Sequence, residues 1–285
     1  MKNVFGNLPF PYTNVRSLGW YLAISPIAAF VMFKICNVSL NRRRRTTLQG
    51  KVVVITGASS GIGEAIAHVF YEAGCKVVLV ARRKSELERV KNDLINKNLS
   101  TPTLEPLVLQ LDLAQYGDID TFVQNVYDAC GPIDILINNG GISHRGAVLH
   151  TKIDVDKEIM AVNYFGTVAL TKACLPKMVQ LKAGHVVFVS SVQGLIAIPD
   201  RSAYAASKHA MQAFGDSLRA ELHQHNIHVT MVSPGYVKTA ISVNAFSGSG
   251  ERHGQMDSTT AAGYSADYVA GKIIDAVVEQ QVKQM

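Results

Sequence analysis

The chain has 285 residues, 48% hydrophobic and 18% charged, which is enough to bury a sizeable core and too apolar for a disordered chain. Its formal charge of +6 is localised: residues 1–50 hold seven basic residues and no carboxylate, leaving 21 basic and 22 acidic residues after Gly50. That near-neutral balance excludes the globular part as a nucleic-acid binder. Cys36, Cys75, Cys130 and Cys174 are scattered, with no C-x-x-C pair or zinc spacing, and read as reduced thiols.

Residues 1–17 form a flank. From Leu18 to Phe33 there are sixteen residues without a charge, and the span reaches Leu40 if Lys34 snorkels. Trp20 and Tyr21 stand where interfacial aromatics are common, and Arg42 to Arg45 follow. The pattern predicts a single-pass membrane anchor over 18–40 and a basic linker over 41–50, with a cleaved signal peptide and an interfacial arm as competing readings. Membrane lipid is then a partner through the anchor. The arginine run places the remainder on the cytosolic side of an intracellular membrane, the endoplasmic reticulum or alternatively the peroxisome.

After Gly50 strand and helix signals alternate. Strands are predicted over 51–57, 75–81, 107–113, 133–138, 185–191 and 227–233, each a run rich in Val, Ile and Leu. Helices are predicted over 62–73, 84–96, 115–130, 154–181, 203–225 and 266–281. The alternation predicts one doubly wound α/β domain over 51–285, a parallel sheet in three α/β/α layers. The Gly/Ser-rich stretch over 244–263 reads as a lid or a surface loop beyond the sixth strand.

The first strand runs into Thr56-Gly57-Ala58-Ser59-Ser60-Gly61-Ile62-Gly63 and then a helix. Gly57 permits a tight turn, Gly61 lets backbone approach a pyrophosphate, and Gly63 permits close packing, while the helix start offers N–H groups to the anion. The turn therefore predicts a dinucleotide site. An acidic residue at the end of the second strand would select NAD, but the strand ends Ala81-Arg82-Arg83-Lys84. Arg82 and Arg83 can pair with a 2′-phosphate, so NADP(H) is the expected cofactor.

Tyr204 and Lys208 are spaced i, i+4 and share one face of the 203–225 helix. A free tyrosine titrates near 10, and a neighbouring ammonium favours phenolate. Ser191 ends the fifth strand thirteen residues earlier and can donate a hydrogen bond to a carbonyl oxygen. Its neighbour Ser190 is the competing candidate. His223, His225 and His228 straddle a helix end without a carboxylate, and no metal site is expected.

Together TGASSGIG at 56–63, NNGG at 138–141, Asn163, SS at 190–191, YAASK at 204–208 and PG at 234–235 resemble the short-chain dehydrogenase/reductase family. The resemblance spans about 51–282 and implies a Rossmann fold and a tetrad of Asn163, Ser191, Tyr204 and Lys208. It implies that Tyr204 exchanges a proton with the carbonyl oxygen, Lys208 lowers its pKa and holds the nicotinamide ribose, and Asn163 holds a relay water. It further implies Asp112 at the adenine, Asn138 at the adenine ribose, and Pro234, Gly235, Val237 and Thr239 on the nicotinamide side. Gly140 stands where the family usually has alanine, and a last strand after the final helix looks missing.

The stretches 191–214 and 233–246 resemble a subgroup of membrane-bound, NADPH-dependent reductases within the family. That implies reduction of a lipophilic carbonyl, with acyl- or alkyl-dihydroxyacetone phosphate as one substrate. Arg145 and Arg201 are candidate partners for a phosphate, though each reads as a surface charge. A retinol- or steroid-type dehydrogenase is the alternative, and a membrane-tethered dinucleotide-binding interaction protein is the reading from another class. The helices over 154–181 and 203–225 are the expected face of a homodimer.

Overall fold

A computed structural model of the chain describes residues 28–32, 45–97, 99 and 104–284. The chain divides into two compact units, 1–44 and 45–285. In the first, the described residues 28–32 are helical; the rest of the anchor expected over 18–40 lies outside the described residues. Among the described residues no helix is long and apolar enough to cross a membrane. That overturns the single-pass membrane localisation expected from the uncharged run.

The second unit follows the predicted alternation. Its elements are β1 (Val52–Thr56), α1 (Gly61–Glu72), β2 (Lys76–Ala81), α2 (Lys84–Ile95), β3 (Leu107–Gln110), α3 (Ile119–Cys130), β4 (Ile135–Asn138) and β5 (His144–Arg145). Then come α4 (Ile153–Met160), a π-helical turn (Ala161–Gly166), α5 (Thr167–Leu181), β6 (Gly184–Val189), α6 (Ser202–Leu222) and β7 (Ile227–Val232). β8 (Phe246–Ser247), α7 (Ser258–Ala261), α8 (Ala266–Val278) and β9 (Lys283–Gln284) complete it. Seven strands make one parallel sheet in the order β3-β2-β1-β4-β6-β7-β9.

Alternate strand residues feed two cores, because successive side chains point to opposite faces. Val53, Ile55, Val77 and Leu79 pack under α1, α2 and α8, against Ile66, Phe70, Leu87, Leu94 and Ile273. Val54, Val78, Leu136, Phe188 and Met231 pack against Phe122, Leu170, Met178, Met211 and Leu218 of α3, α5 and α6. This is the expected three-layer Rossmann arrangement.

Two expectations change. The last strand is present: Lys283–Gln284 pairs with Met231 and Val232, through bonds from Met231 N–H to Val282 O and Ser233 N–H to Gln284 O. The sequence QVKQM lacks a strand's apolar run, and backbone pairing at a sheet edge does not require one. The helix predicted over 154–181 is divided by the π turn. There Gly166 approaches the chain after β3 so closely that an added Cβ would lie 2.0 Å from Leu113 O.

Strand order reverses between β2-β1 and β4-β6, and at such a switch point a crevice opens beyond the strands' carboxyl ends. Gly166→Ala is expected to force the π turn off Leu113 and to cost about 3 kcal/mol, read as a lower denaturation midpoint at an unchanged denaturant slope.

Candidate active site

The crevice is a cavity of about 450 Å3 lined by the turn after β1, the ends of β2 and β3, the loop after β4, α6 and the segment after β7. Its phosphate-binding half is built on close backbone approach. Gly57 and Gly61 have φ of +67° and +60°, conformations that side chains disfavour. A Cβ on Gly63 would lie 2.2 Å from Gly57 O, so the helix start packs directly on the turn. Ser60, which precedes α1, gives no side-chain cap, and the first N–H groups of the helix remain for an anion. Ser59, Ser60, Gly61 and Ile62 line the cavity, and Thr239 faces Gly61.

At the other end stand Arg82 and Arg83. Arg83 Nη2 donates to Ser59 Oγ at 3.1 Å and Ser60 Oγ at 3.4 Å. The Arg82 guanidinium is exposed and makes no ion pair with a described residue. Asp112 lines the wall and accepts from Ala114 N–H at 3.0 Å. Arg89, which sequence reasoning passed over, donates to Ser59 O at 3.4 Å while paired with Glu64, Glu86 and Asp93. It holds the turn from behind, and its charge pattern on α2 was the available signal.

Several expected residues lie elsewhere. The Asn138 side chain is buried away from the cavity and donates to Thr171 Oγ1 at 3.0 Å. Its neighbour Asn139 lines the cavity and donates through Nδ2 to Thr56 O at 2.9 Å. Alternation along β4 turns one asparagine to the helix side and the next to the crevice. Pro234, Gly235 and Val237 are not in the lining; Pro234 O accepts from Val192 N–H, and Val237 bridges to Tyr264.

Tyr204 and Lys208 project from α6 into the cavity. Ser191 Oγ accepts from Gln193 N–H at 3.1 Å and stands near enough to the Tyr204 hydroxyl to favour its ionised form. Ser190 donates to Lys208 O at 3.4 Å. Ser190 stands in the cavity lining and Ser191 does not, so Ser191 meets the site through its neighbour Tyr204. Lys208 Nζ donates to Val189 O at 3.0 Å and lies 5.7 Å from the centre of the Tyr204 ring. Asn163, within the π turn, is held by its amide: Oδ1 accepts from Ile142 N–H, and Nδ2 donates to Ile142 O and Ser207 Oγ. Both Nδ2 protons are therefore committed, while Oδ1 keeps one lone pair. A Cβ on Gly141 would lie 3.1 Å from Asn163 Oδ1 and 3.6 Å from Lys208 Nζ, so these groups converge.

Burial pushes the Tyr204 hydroxyl above its ordinary value, opposed by the Ser191 hydroxyl and the Arg145 charge. Burial also lowers Lys208 to about 8. The ammonium that is expected to lower Tyr204 lies over its ring and is bonded to Val189 O. Arg145 and Arg201 are not surface charges: their side chains are 10% and 15% exposed and share Asp257. Among the described residues no group of three or more His, Cys, Asp or Glu could hold a metal ion.

A glycine turn at the switch point of a parallel sheet, with Ser, Tyr and Lys opposite, defines an oxidoreductase that works with a nicotinamide dinucleotide. The family model described as short chain dehydrogenase matches residues 51–249, and the chain belongs to the short-chain dehydrogenase/reductase family. It is 55% identical to a dehydrogenase/reductase SDR family protein 7-like of Anopheles gambiae, over 93% of this chain and 85% of that protein. It is 49% identical to dehydrogenase/reductase SDR family member 7B of Rattus norvegicus, over 86% and 76%. A solved short-chain dehydrogenase/reductase from Burkholderia phymatum, in complex with NAD, shares the fold at a TM-score of 0.73, 24% identity, 83% of this chain and 88% of that one.

The close approach at Gly63 gives a direct test. Gly63→Ala is expected to displace the turn and abolish dinucleotide binding by calorimetry, while circular dichroism stays that of a folded α/β protein.

Proposed function

We propose that this protein is an NADPH-dependent reductase of a lipophilic carbonyl, with Tyr204 as the proton donor. The observation that carries the reading is the Tyr204 hydroxyl, buried beside Ser191 in the same cavity as the glycine turn. A phenol held above its ordinary value is protonated at neutral pH, as a donor to a carbonyl oxygen must be. Ser191 can turn its hydroxyl to the same oxygen as charge develops.

Ser59, Ser60, Gly61 and Thr239 would hold the dinucleotide's phosphates, and Lys208 its nicotinamide ribose. The cradle fits, since a Cβ at Gly57, Gly61 or Gly63 would close it. When bound, the reduced nicotinamide supplies a hydride. The chain's own part is to orient the carbonyl, give its oxygen a proton and exclude water. NADPH is preferred to NADH because β2 ends without a carboxylate, and because Arg82 makes no ion pair with a described residue beside an Arg83 held by two serines. Ile142, Val162, Ile241 and Phe246 give the substrate end an apolar wall, in keeping with a lipophilic substrate. The subgroup that 191–214 and 233–246 resemble makes acyl- or alkyl-dihydroxyacetone phosphate the first substrate to offer, beside retinal and a ketosteroid.

Turnover of one of these carbonyls with NADPH is expected to fall about 10²–10⁴-fold in Tyr204→Phe with cofactor binding retained. If Tyr204→Phe turns over normally, or none of the three is reduced while NADPH binds, the reading fails. Arg82→Ala is expected to weaken NADPH binding by about tenfold or more and leave NADH unaffected, as titration by nucleotide fluorescence would show.

Lys208 bears on stability as well. With its pKa at about 8 against 10.5 for the free group, the folded state disfavours its charge below pH 8, and the penalty fades as pH rises from 8 to 10.5. Without cofactor, Lys208→Met is therefore expected to be more stable than the parent by on the order of 2 kcal/mol at pH 7 and inactive. The stability difference should shrink toward pH 10 in thermal denaturation.

A further inference from the structure

Asp257 lies between β8 and α7, on a stretch with no recognised motif. Its side chain is 16% exposed. Oδ2 accepts from Arg145 Nε at 2.8 Å, Arg145 Nη2 at 2.6 Å and Arg201 Nη2 at 3.2 Å. Arg145 Nη1 also donates to Ser143 Oγ and His144 O, both at 2.8 Å. The Asp257 N–H donates to Ser242 Oγ at 3.3 Å, and His253 Nε2 lies 3.8 Å from Oδ1.

One carboxylate thus joins three separate stretches. The first is β5, whose neighbour Ser143 lines the cavity. The second is Arg201, the residue that caps the start of α6, whose carbonyl accepts from Ala205 N–H at 2.8 Å and closes the turn that carries Tyr204. The third is the stretch after β7, which brings Ile241, Asn244, Phe246 and Arg252 to the cavity wall. This stretch is also attached by the two-residue β5–β8 ladder and by Lys152 N–H donating to Gly248 O at 2.9 Å, while the Val237–Tyr264 bridge closes it on itself. The Asp257 cluster is its charged attachment to the catalytic helix, and it is largely out of water, where such bonds are strong and costly to break singly.

We propose that Asp257 is a positioning residue for Tyr204: by pairing with Arg145 and Arg201 it locks the 240–263 wall of the substrate cavity to the first turn of α6, so that closing the wall and aligning the proton donor are one event. The inference rests on the reading of Tyr204 as that donor.

The test compares Asp257→Asn, Asp257→Glu and Arg201→Met with the parent, using NADPH and whichever of the three carbonyls the parent turns over. Three quantities are read: kcat and KM, the Kd for NADPH, and the rate of limited proteolysis within 240–263. Asp257→Asn is expected to lower kcat about tenfold to a hundredfold with the NADPH Kd unchanged, and to speed cleavage of the wall. Asp257→Glu should restore most of kcat, which a merely structural loss would not allow. Arg201→Met leaves one arginine for one carboxylate, so it keeps the fold falsifiable if Asp257→Asn is unstable, and it should still lower kcat. Parental kcat and proteolysis in Asp257→Asn and Arg201→Met would overturn the proposal, as would a kcat loss that Asp257→Glu leaves unrepaired. Failure of the underlying reading is distinct: Tyr204→Phe would then turn over normally, and the proteolysis rates would still decide whether Asp257 locks the wall.

Discussion

Thr56 Oγ1 accepts from Asn139 N–H at 3.0 Å and Gly140 N–H at 2.8 Å, and donates to Ile137 O. This one hydroxyl ties the carboxyl ends of β1 and β4 together at the point where strand order reverses. Everything that touches the dinucleotide is arranged around it. Gly57 must leave β1 at positive φ, Gly63 must pack on Gly57 O, and Gly140 must pass Thr56 and Leu113 closely. A Cβ on Gly140 would lie 2.9 Å from Leu113 Cδ1, 3.2 Å from Thr56 Oγ1 and 3.3 Å from Thr56 Cβ.

The catalytic end rests on a different balance. Tyr204 and Lys208 share one enclosed site, and burial pushes each toward its neutral form. The hydroxyl keeps its proton and the ammonium is loosened. Ser191 and the charge of Arg145 act against the first effect, and the Val189 carbonyl gives the lysine a fixed partner. The π turn serves the same end: it sets Asn163 where its amide braces Ile142 and Ser207, and Ser207 donates to Tyr204 O.

Much of this was legible in the chain. The period of Val, Ile and Leu runs marked six strands, and the i, i+4 spacing put Tyr204 and Lys208 on one face. What escaped has physical reasons. Asn138 and Asn139 are adjacent and chemically alike, and only the pleat of β4 decides which one faces the crevice. β9 carries no strand-like composition because main-chain bonds at an edge are enough to hold it. The anchor expected over 18–40 falls mostly outside the described residues.

The sequence alone determined the sheet class, the glycine turn, the basic end of β2 and the serine–tyrosine–lysine set, because each depends on local period, conformational freedom or short spacing. Only the tertiary structure decided which way each polar side chain turned, how burial divides protons between Tyr204 and Lys208, and that Asp257 meets Arg145 and Arg201. Those outcomes depend on groups far apart in the chain, and on how much water the packed elements leave between them.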